Sequence, residues 1–253
     1  LEDGEKAVFP EGLSRQQKEL IVGGEAIVYR GKLWEAGFRG IAVGLPEGIH
    51  YAFDAQELRL ALLWKGRFLD ARAHWSSQGM GRIRPLGQDV ITFPRGPDIV
   101  FLTDVFCPWP GGRQDGIRPP GYRFRGYRLG DRGIPTLMYS TEALDIEETL
   151  LGIDEPGGAK LLRKIQIEKN EHPGQQGAYF LRLRDIPPEE VLDDGTCIYA
   201  DGLHIRVVET SPRTRAKPVY TIPEKWETWI RLPIYHDETT TLAIEYRWGK
   251  ENR

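Results

Sequence analysis

Apolar and polar positions alternate three times in succession along residues 40–73 (GIAVGLPEGIHYAFDAQELRLALLWKGRFLDARA), and each alternating run ends at a turn signal. Ile41, Val43 and Leu45 precede Pro46-Glu47-Gly48; Ile49, Tyr51 and Phe53 precede Asp54-Ala55; Leu58, Leu60 and Leu62 precede Lys65-Gly66. A period of two is the repeat of a pleated strand, so this stretch predicts a central meander of short antiparallel strands. Before it, residues 26–34 predict a first strand with Ile27 and Tyr29 on its apolar side and a bulge at Gly31. A short helix is predicted over residues 14–22, where Ser14 and Gln17 fit a capping box and Gly23-Gly24 fits a stop.

After the meander, residues 74–87 (HWSSQGMGRIRPLG) lack periodicity and read as an exposed loop. Short apolar runs follow at 90–93 and 98–106. Residues 107–121 (CPWPGGRQDGIRPPG) hold four prolines and four glycines, which forbids an inner strand, and long irregular segments of this kind are more often functional than simple connectors. Residues 122–129 alternate aromatic and arginine until Gly126 breaks the parity, and Gly130-Asp131-Arg132-Gly133 turns the chain into a strand at 135–139. Residues 141–150 have some helix propensity, but Leu144, Ile146 and Glu148 alternate with Ala143, Asp145 and Glu147, and the β setting selects a strand.

Strands at 161–167 and 179–183 flank the polar loop 170–177. Asp201-Gly202 between the arms of 196–209 predicts a tight hairpin. The chain closes with a strand near 229–234, a polar turn at 236–238, and a strand at 241–248 whose Leu242, Ile244, Tyr246 and Trp248 share one face. The sum is roughly a dozen strands with no ~30-residue repeat and no crossover helices, which predicts an all-β fold: a large antiparallel β-sandwich with one or two short peripheral helices. The expected division is an N-terminal segment, 1–25, and a single sandwich domain, 26–253. Phe53, Leu58, Leu60, Leu62, Leu242, Ile244 and Tyr246 are the expected core.

The chain of 253 residues is 40% hydrophobic and 28% charged, with 7 Trp, 10 Tyr and 9 Phe, enough apolar surface for a sizeable core. Its 34 basic and 37 acidic residues leave a net charge of −3 with no basic block, which argues against a general electrostatic grip on nucleic acid. No apolar run approaches the ~20 residues of a membrane-spanning helix. The start LEDGEKAVF lacks the basic and apolar regions of a signal peptide, although a cleaved signal or a longer parent chain would leave the same trace. Cys107 and Cys197, the two cysteines, form no zinc or haem-attachment spacing. They are either one disulfide or two small buried hydrophobes.

Catalytic signatures for acyl transfer, nucleotide binding, zinc peptidases and EF-hands are absent. His50, His74, His172, His204 and His236 are scattered, so a metal site would require tertiary convergence. Asp54, Glu57 and Asp70 flank the meander and have the chemistry of a glycosidase carboxylate pair, although Asp-Ala-Gln-Glu also suits a turn. Trp75, Trp109, Tyr122 and Tyr127 lie nearest to loops, where flat rings stack on sugars, with Asp54, Asp70 and Asp115 as polar partners for hydroxyls. Arg123, Arg125 and Arg128 read either as an oxyanion grip or as a solvated strand face paired with acids such as Glu142 or Asp145.

The string IAVGLPEGIHYAFDAQELRLALLWKGRFLDA, with YRFRGYRLGDRGIPTLMYS and the terminal LAIEYRW, resembles a β-sandwich domain of large secreted multidomain proteins of planctomycete-type bacteria. In that family the domain accompanies c-type cytochrome and sugar-dehydrogenase-like modules. The resemblance covers most of residues 40–248 and implies a periplasmic or extracellular setting beside redox or carbohydrate chemistry. It implies a non-catalytic binding or assembly module with no cofactor of its own, haem belonging to a c-type cytochrome-bearing partner. Carbohydrate binding, or sugar chemistry on the sandwich, is the alternative expectation. Trp109 in the 107–121 loop is the expected interface anchor.

Overall fold

The computed structural model describes residues 18–75, 81–104, 106–110, 121–170, 176–211, 219–222, 227–234 and 239–249. The chain begins with β1 (Glu19–Leu20) and the meander β2 (Ile27–Leu33), β3 (Gly37–Gly44), β4 (Ile49–Asp54) and β5 (Arg59–Lys65). Then come β6 (Leu69–Asp70), the one-turn helix α1 (Arg72–Trp75), β7 (Gln88–Thr92) and β8 (Ile99–Leu102). Four successive strands follow, β9 (Arg123–Leu129), β10 (Pro135–Ser140), β11 (Leu144–Ile153) and β12 (Lys160–Lys169), with a 3-10 turn at Asp131–Gly133. The remainder is β13 (Ala178–Arg184), β14 (Glu190–Val191), β15 (Cys197–Ile198), β16 (Leu203–Ser211), β17 (Val219–Ile222), β18 (Glu227–Arg231) and β19 (Thr240–Trp248).

These strands form an eight-stranded antiparallel sheet in the order β14-β15-β16-β19-β12-β11-β10-β9 and a five-stranded sheet, β2-β3-β4-β5-β7. A four-stranded sheet, β17-β18-β13-β8, and the small pair β1-β6 complete the set. The inward rows of the three large sheets meet in one apolar cluster that includes Val43, Tyr51, Phe53, Leu60, Ile99, Leu181, Leu137, Ile165, Leu203, Ile244 and Tyr246. The architecture is the expected all-β sandwich, with only short helical turns among the described residues. The seven residues expected in the core are all buried, each such large side chain contributing about 1.5–3 kcal/mol.

Both faces of the five-stranded sheet are covered. Its second face carries Tyr29, Leu33, Ala42, Ala52, Leu62 and Trp64, roofed by Phe68, Leu69, Ala71 and Ile83. Residues 81–87, expected in an exposed loop, therefore help to form that roof: Ile83 is buried and bridges to Leu33. Leu62 is also re-aimed. The β4–β5 register shifts between Ala52 and Phe53, whose partners are Leu62 and Leu60, so Ala61 is an extra residue and Leu63, not Leu62, joins Leu60 in the main core. Gly44 makes the close approach possible, since a Cβ there would lie 2.5 Å from Val22 Cγ2. A third cluster, Val100, Leu102, Phe180 and Trp229, lies on the four-stranded sheet under Cys107 and Trp109.

The bulge near Gly31, the parity break at Gly126 and the Asp201-Gly202 hairpin appear as expected. The β2–β3 register shifts between Gly31 and Leu33, and Gly126 adopts φ 132° beside the shift between β9 and β10. Gly202, at φ 79°, sits in a turn closed by Tyr199 N–H donating to Leu203 O at 3.0 Å. Residues 144–150 are strand, in β11. The helix expected over 14–22 is not found in its described part, where Glu19 and Leu20 instead pair with Asp70 and Leu69; its first residues lie outside the described ones. That pairing is a long-range contact between β1 and β6.

Candidate functional site

The carboxylates and rings put forward from the sequence occupy separate parts of the fold. Asp54 ends β4 buried, where its Oδ1 accepts the backbone N–H groups of Gln56 and Glu57 at 2.8 and 3.1 Å. Its other oxygen faces Arg59 Nη2 at 3.7 Å. Burial raises its pKa, with Arg59 and the two N–H groups opposing. This is the turn role that Asp-Ala-Gln-Glu suits. Glu57 belongs to the same knot, accepting from Arg59 Nε at 2.7 Å and from Gly96 N–H at 3.0 Å. Asp70 caps the start of α1 by accepting Arg72 N–H at 2.8 Å.

Trp75 ends α1 against Tyr29, centroids 6.2 Å apart, on the second layer of the five-stranded sheet. Trp109 lies on the third cluster: its ring meets Trp229 at 5.2 Å, Arg182 stacks on it at 4.7 Å, and its Nε1 donates to Pro97 O at 2.7 Å. Tyr122 and Tyr127 pack against the main core. Burial raises the Tyr122 phenol above its ordinary range, and Arg30 stands 5.9 Å over the Tyr127 ring. The four rings thus fall into three neighbourhoods. Asp115 lies outside the described residues.

A buried ionic cluster is the feature that the sequence reading passed over. Arg163 on β12 donates from Nε to Glu148 Oε1 at 2.8 Å and from Nη2 to Glu148 Oε2 at 3.0 Å and Asp98 Oδ2 at 2.6 Å. Tyr139 donates to Glu148 Oε2 at 2.8 Å, and Leu60 N–H donates to Asp98 Oδ2 at 2.9 Å. Glu148 and Arg163 stand in the inward rows Leu144-Ile146-Glu148-Leu150 and Leu161-Arg163-Ile165-Ile167. The available signal was an opposite-charge pair in two apolar rows of neighbouring strands. Burial raises the Asp98 pKa, and Arg163 offsets this only in part. Burial opposes the Arg163 charge, yet Glu148 and Asp98 hold its pKa well above the ordinary value. The cluster ties the eight-stranded sheet, through Asp98, to β5 and the four-stranded sheet. Its hydrogen bonds are those of a structural brace.

The outward face of the eight-stranded sheet is polar and holds a shallow groove of about 480 Å³, lined in part by Arg128, Thr136, Glu147, Lys164, Gln166 and Glu209. Two arginines on this face are paired in place. Arg128 grips both Glu147 oxygens at 2.6 and 2.5 Å, and Arg125 meets Asp145 at 3.2 Å. At the far end Glu245 is surrounded by Lys160, Arg206 and Arg247; although burial opposes it, these partners lower its carboxyl pKa to about 2. Arg125 and Arg128 are thus the paired strand face that was one of the two readings of these arginines.

His50 and His74 serve the scaffold. His50 accepts Leu45 N–H at Nδ1 and donates from Nε2 to Gly66 O at 2.7 Å, and His74 Nδ1 is 2.5 Å from the Tyr29 hydroxyl. His172 and His236 lie outside the described residues. Among the described residues no group of three His, Cys, Asp or Glu side chains could hold a metal ion, and no helix is long and apolar enough to cross a membrane. Cys107 and Cys197 are not joined: Cys197 is in the main core and Cys107 packs on the third cluster. No protein-family model, curated protein or solved structure matches the chain.

Proposed function

We propose that the chain is a non-catalytic binding or assembly module of an exported redox system whose partner chain or domain carries c-type haem. The observation that supports this reading is the commitment of the acidic groups that could do chemistry. Asp54 and Glu57 hold a turn and Arg59, and Asp98 and Glu148 are bound to Arg163, with Asp98 Oδ2 also accepting Leu60 N–H and Glu148 Oε2 also accepting the Tyr139 hydroxyl. A general acid or nucleophile needs an oxygen that can reach a substrate. These oxygens brace sheets. The redox setting comes from the resemblance of residues 40–248 to domains that sit beside c-type cytochrome modules.

Purification of the native assembly tests the reading. The expected result is co-elution with a polypeptide that keeps its haem absorbance after denaturation, the mark of covalent attachment. Elution as a lone monomer without haem at cellular concentration overturns it.

A further inference from the structure

Arg184 ends β13 at 4% exposure, with its guanidinium carbon 5.1 Å from the Tyr199 ring centre and 5.5 Å from that of Phe93. Its Nη2 donates to Asp201 Oδ2 at 2.6 Å, while Nε and Nη1 are buried and meet no acceptor. Two further buried hydroxyls stand in the same place, near only each other and Cys197 and short of full hydrogen-bond geometry. One is that of Tyr199, whose ring underlies the guanidinium; the other is that of Thr228, the residue paired with Arg184 across β13 and β18. The Tyr199 and Thr228 side chains are within mutual reach.

A buried donor left without an acceptor costs about 1–3 kcal/mol, and more when it is charged. Here a guanidinium with two unmet nitrogens and two hydroxyls converge, next to a sheet interior in which Arg59 and Arg163 are matched by acids. The unmet Arg184 nitrogens and the two hydroxyls can all donate, and the one carboxylate beside them, Asp201, is held on Arg184 Nη2. Burial holds the Tyr199 phenol above its ordinary range, so it remains a donor at neutral pH. Phe93, whose ring faces the guanidinium, packs edge to face on Tyr246 at 5.9 Å, so only a small group could sit among these side chains. The Asp201 side chain is 31% exposed, so the Arg184–Asp201 pair leads from solvent to these donors.

We propose that Arg184, Tyr199 and Thr228 form a binding site for one small oxyanion of the carboxylate or phosphate class, reached from the Asp201 turn. The site is independent of the assembly reading, which concerns a protein partner and would fail by a different measurement.

Inorganic phosphate and acetate, each titrated into the full chain against sodium chloride at matched ionic strength, test the proposal. The readouts are the thermal midpoint and the Arg184 Nε–Hε resonance. A saturable rise in midpoint with phosphate or acetate, beyond the chloride control and accompanied by a shift of that resonance, is expected; which anion acts tells the two classes apart. Tyr199→Phe should weaken binding severalfold, and Arg184→Met should abolish the saturable component, since a charge-assisted hydrogen bond is worth about tenfold or more in affinity. Equal responses to chloride, or an Arg184 resonance unmoved at saturating phosphate and acetate, overturn the site and leave its donors to water. Should Arg184→Met not fold, the wild-type resonance and Tyr199→Phe decide alone.

Discussion

Arg163 clasps Glu148 with two nitrogens inside the sandwich, at 2.8 and 3.0 Å, and its Nη2 also reaches Asp98 at 2.6 Å. Arg163→Met would leave two carboxylates facing each other without their shared counter-charge. The expected loss is about 3–5 kcal/mol by urea unfolding. Arg163→Met combined with Glu148→Leu removes one of the stranded charges, so the double variant should be more stable than Arg163→Met alone. Additive losses would show that the pair does not act as a unit.

His50 carries a pH dependence of definite sign. Its Nδ1 accepts Leu45 N–H, so protonation there would break that bond, and burial lowers its pKa below 6.5 against the pull of Gly66 O. The unfolded chain therefore takes up the proton first as pH falls through 6.5. Stability contributed by neutral His50 should be complete above that pH and decline below it, until the folded ring also protonates. A ring resonance titrating at or above 6.5 would contradict the assignment. His50→Gln should lose this part of the slope.

Glu245 acts in a lower window. Lys160, Arg206 and Arg247 hold its pKa at about 2 against an ordinary 4.5. Its contribution is present above about pH 4.5 and is lost as pH falls towards 2, because the unfolded carboxylate protonates first. Glu245→Gln should flatten the fall in stability between those two pH values. An unchanged slope would place the acid sensitivity elsewhere.

The double cover of the five-stranded sheet predicts that Leu62→Ala and Leu63→Ala each cost roughly 2–5 kcal/mol, because each opens a cavity in a different layer. In a sheet with one wet face, one of the two would be nearly neutral. The period-two pattern revealed the strands and the main core, since Ile41, Val43, Tyr51, Phe53, Leu60, Ile244 and Tyr246 all face it. It could not reveal the extra residue at Ala61, which depends on the partner strand, nor the roof over Ala42 and Ala52, which comes from Phe68, Leu69, Ala71 and Ile83. The candidate site was less legible for a related reason. Asp54 and Asp70 had the right chemistry, but whether an acid faces solvent or a backbone N–H is decided by the turn it closes. Glu148, Arg163 and Arg184 acquire their meaning only from contacts across strands.

Trp109 gives the last prediction, because the expected interface anchor is already engaged within the fold. Its ring covers Trp229 and Arg182, and its Nε1 satisfies Pro97 O. Arg182 is buried, donates to Arg95 O and reaches Glu227 at 3.4 Å; burial lowers its pKa, with Glu227 opposing. Trp109→Ala would remove the ring from over this charge and leave the Pro97 carbonyl without its donor, a combined loss of about 3–5 kcal/mol in unfolding free energy. Trp109→Phe keeps the apolar cover and loses only the indole N–H, so it should recover most of that stability. An interface anchor would behave in the opposite way: Trp109→Ala would leave unfolding unchanged and lower partner retention alone. Urea unfolding of the two variants, beside their recovery of the haem-bearing partner, separates the roles.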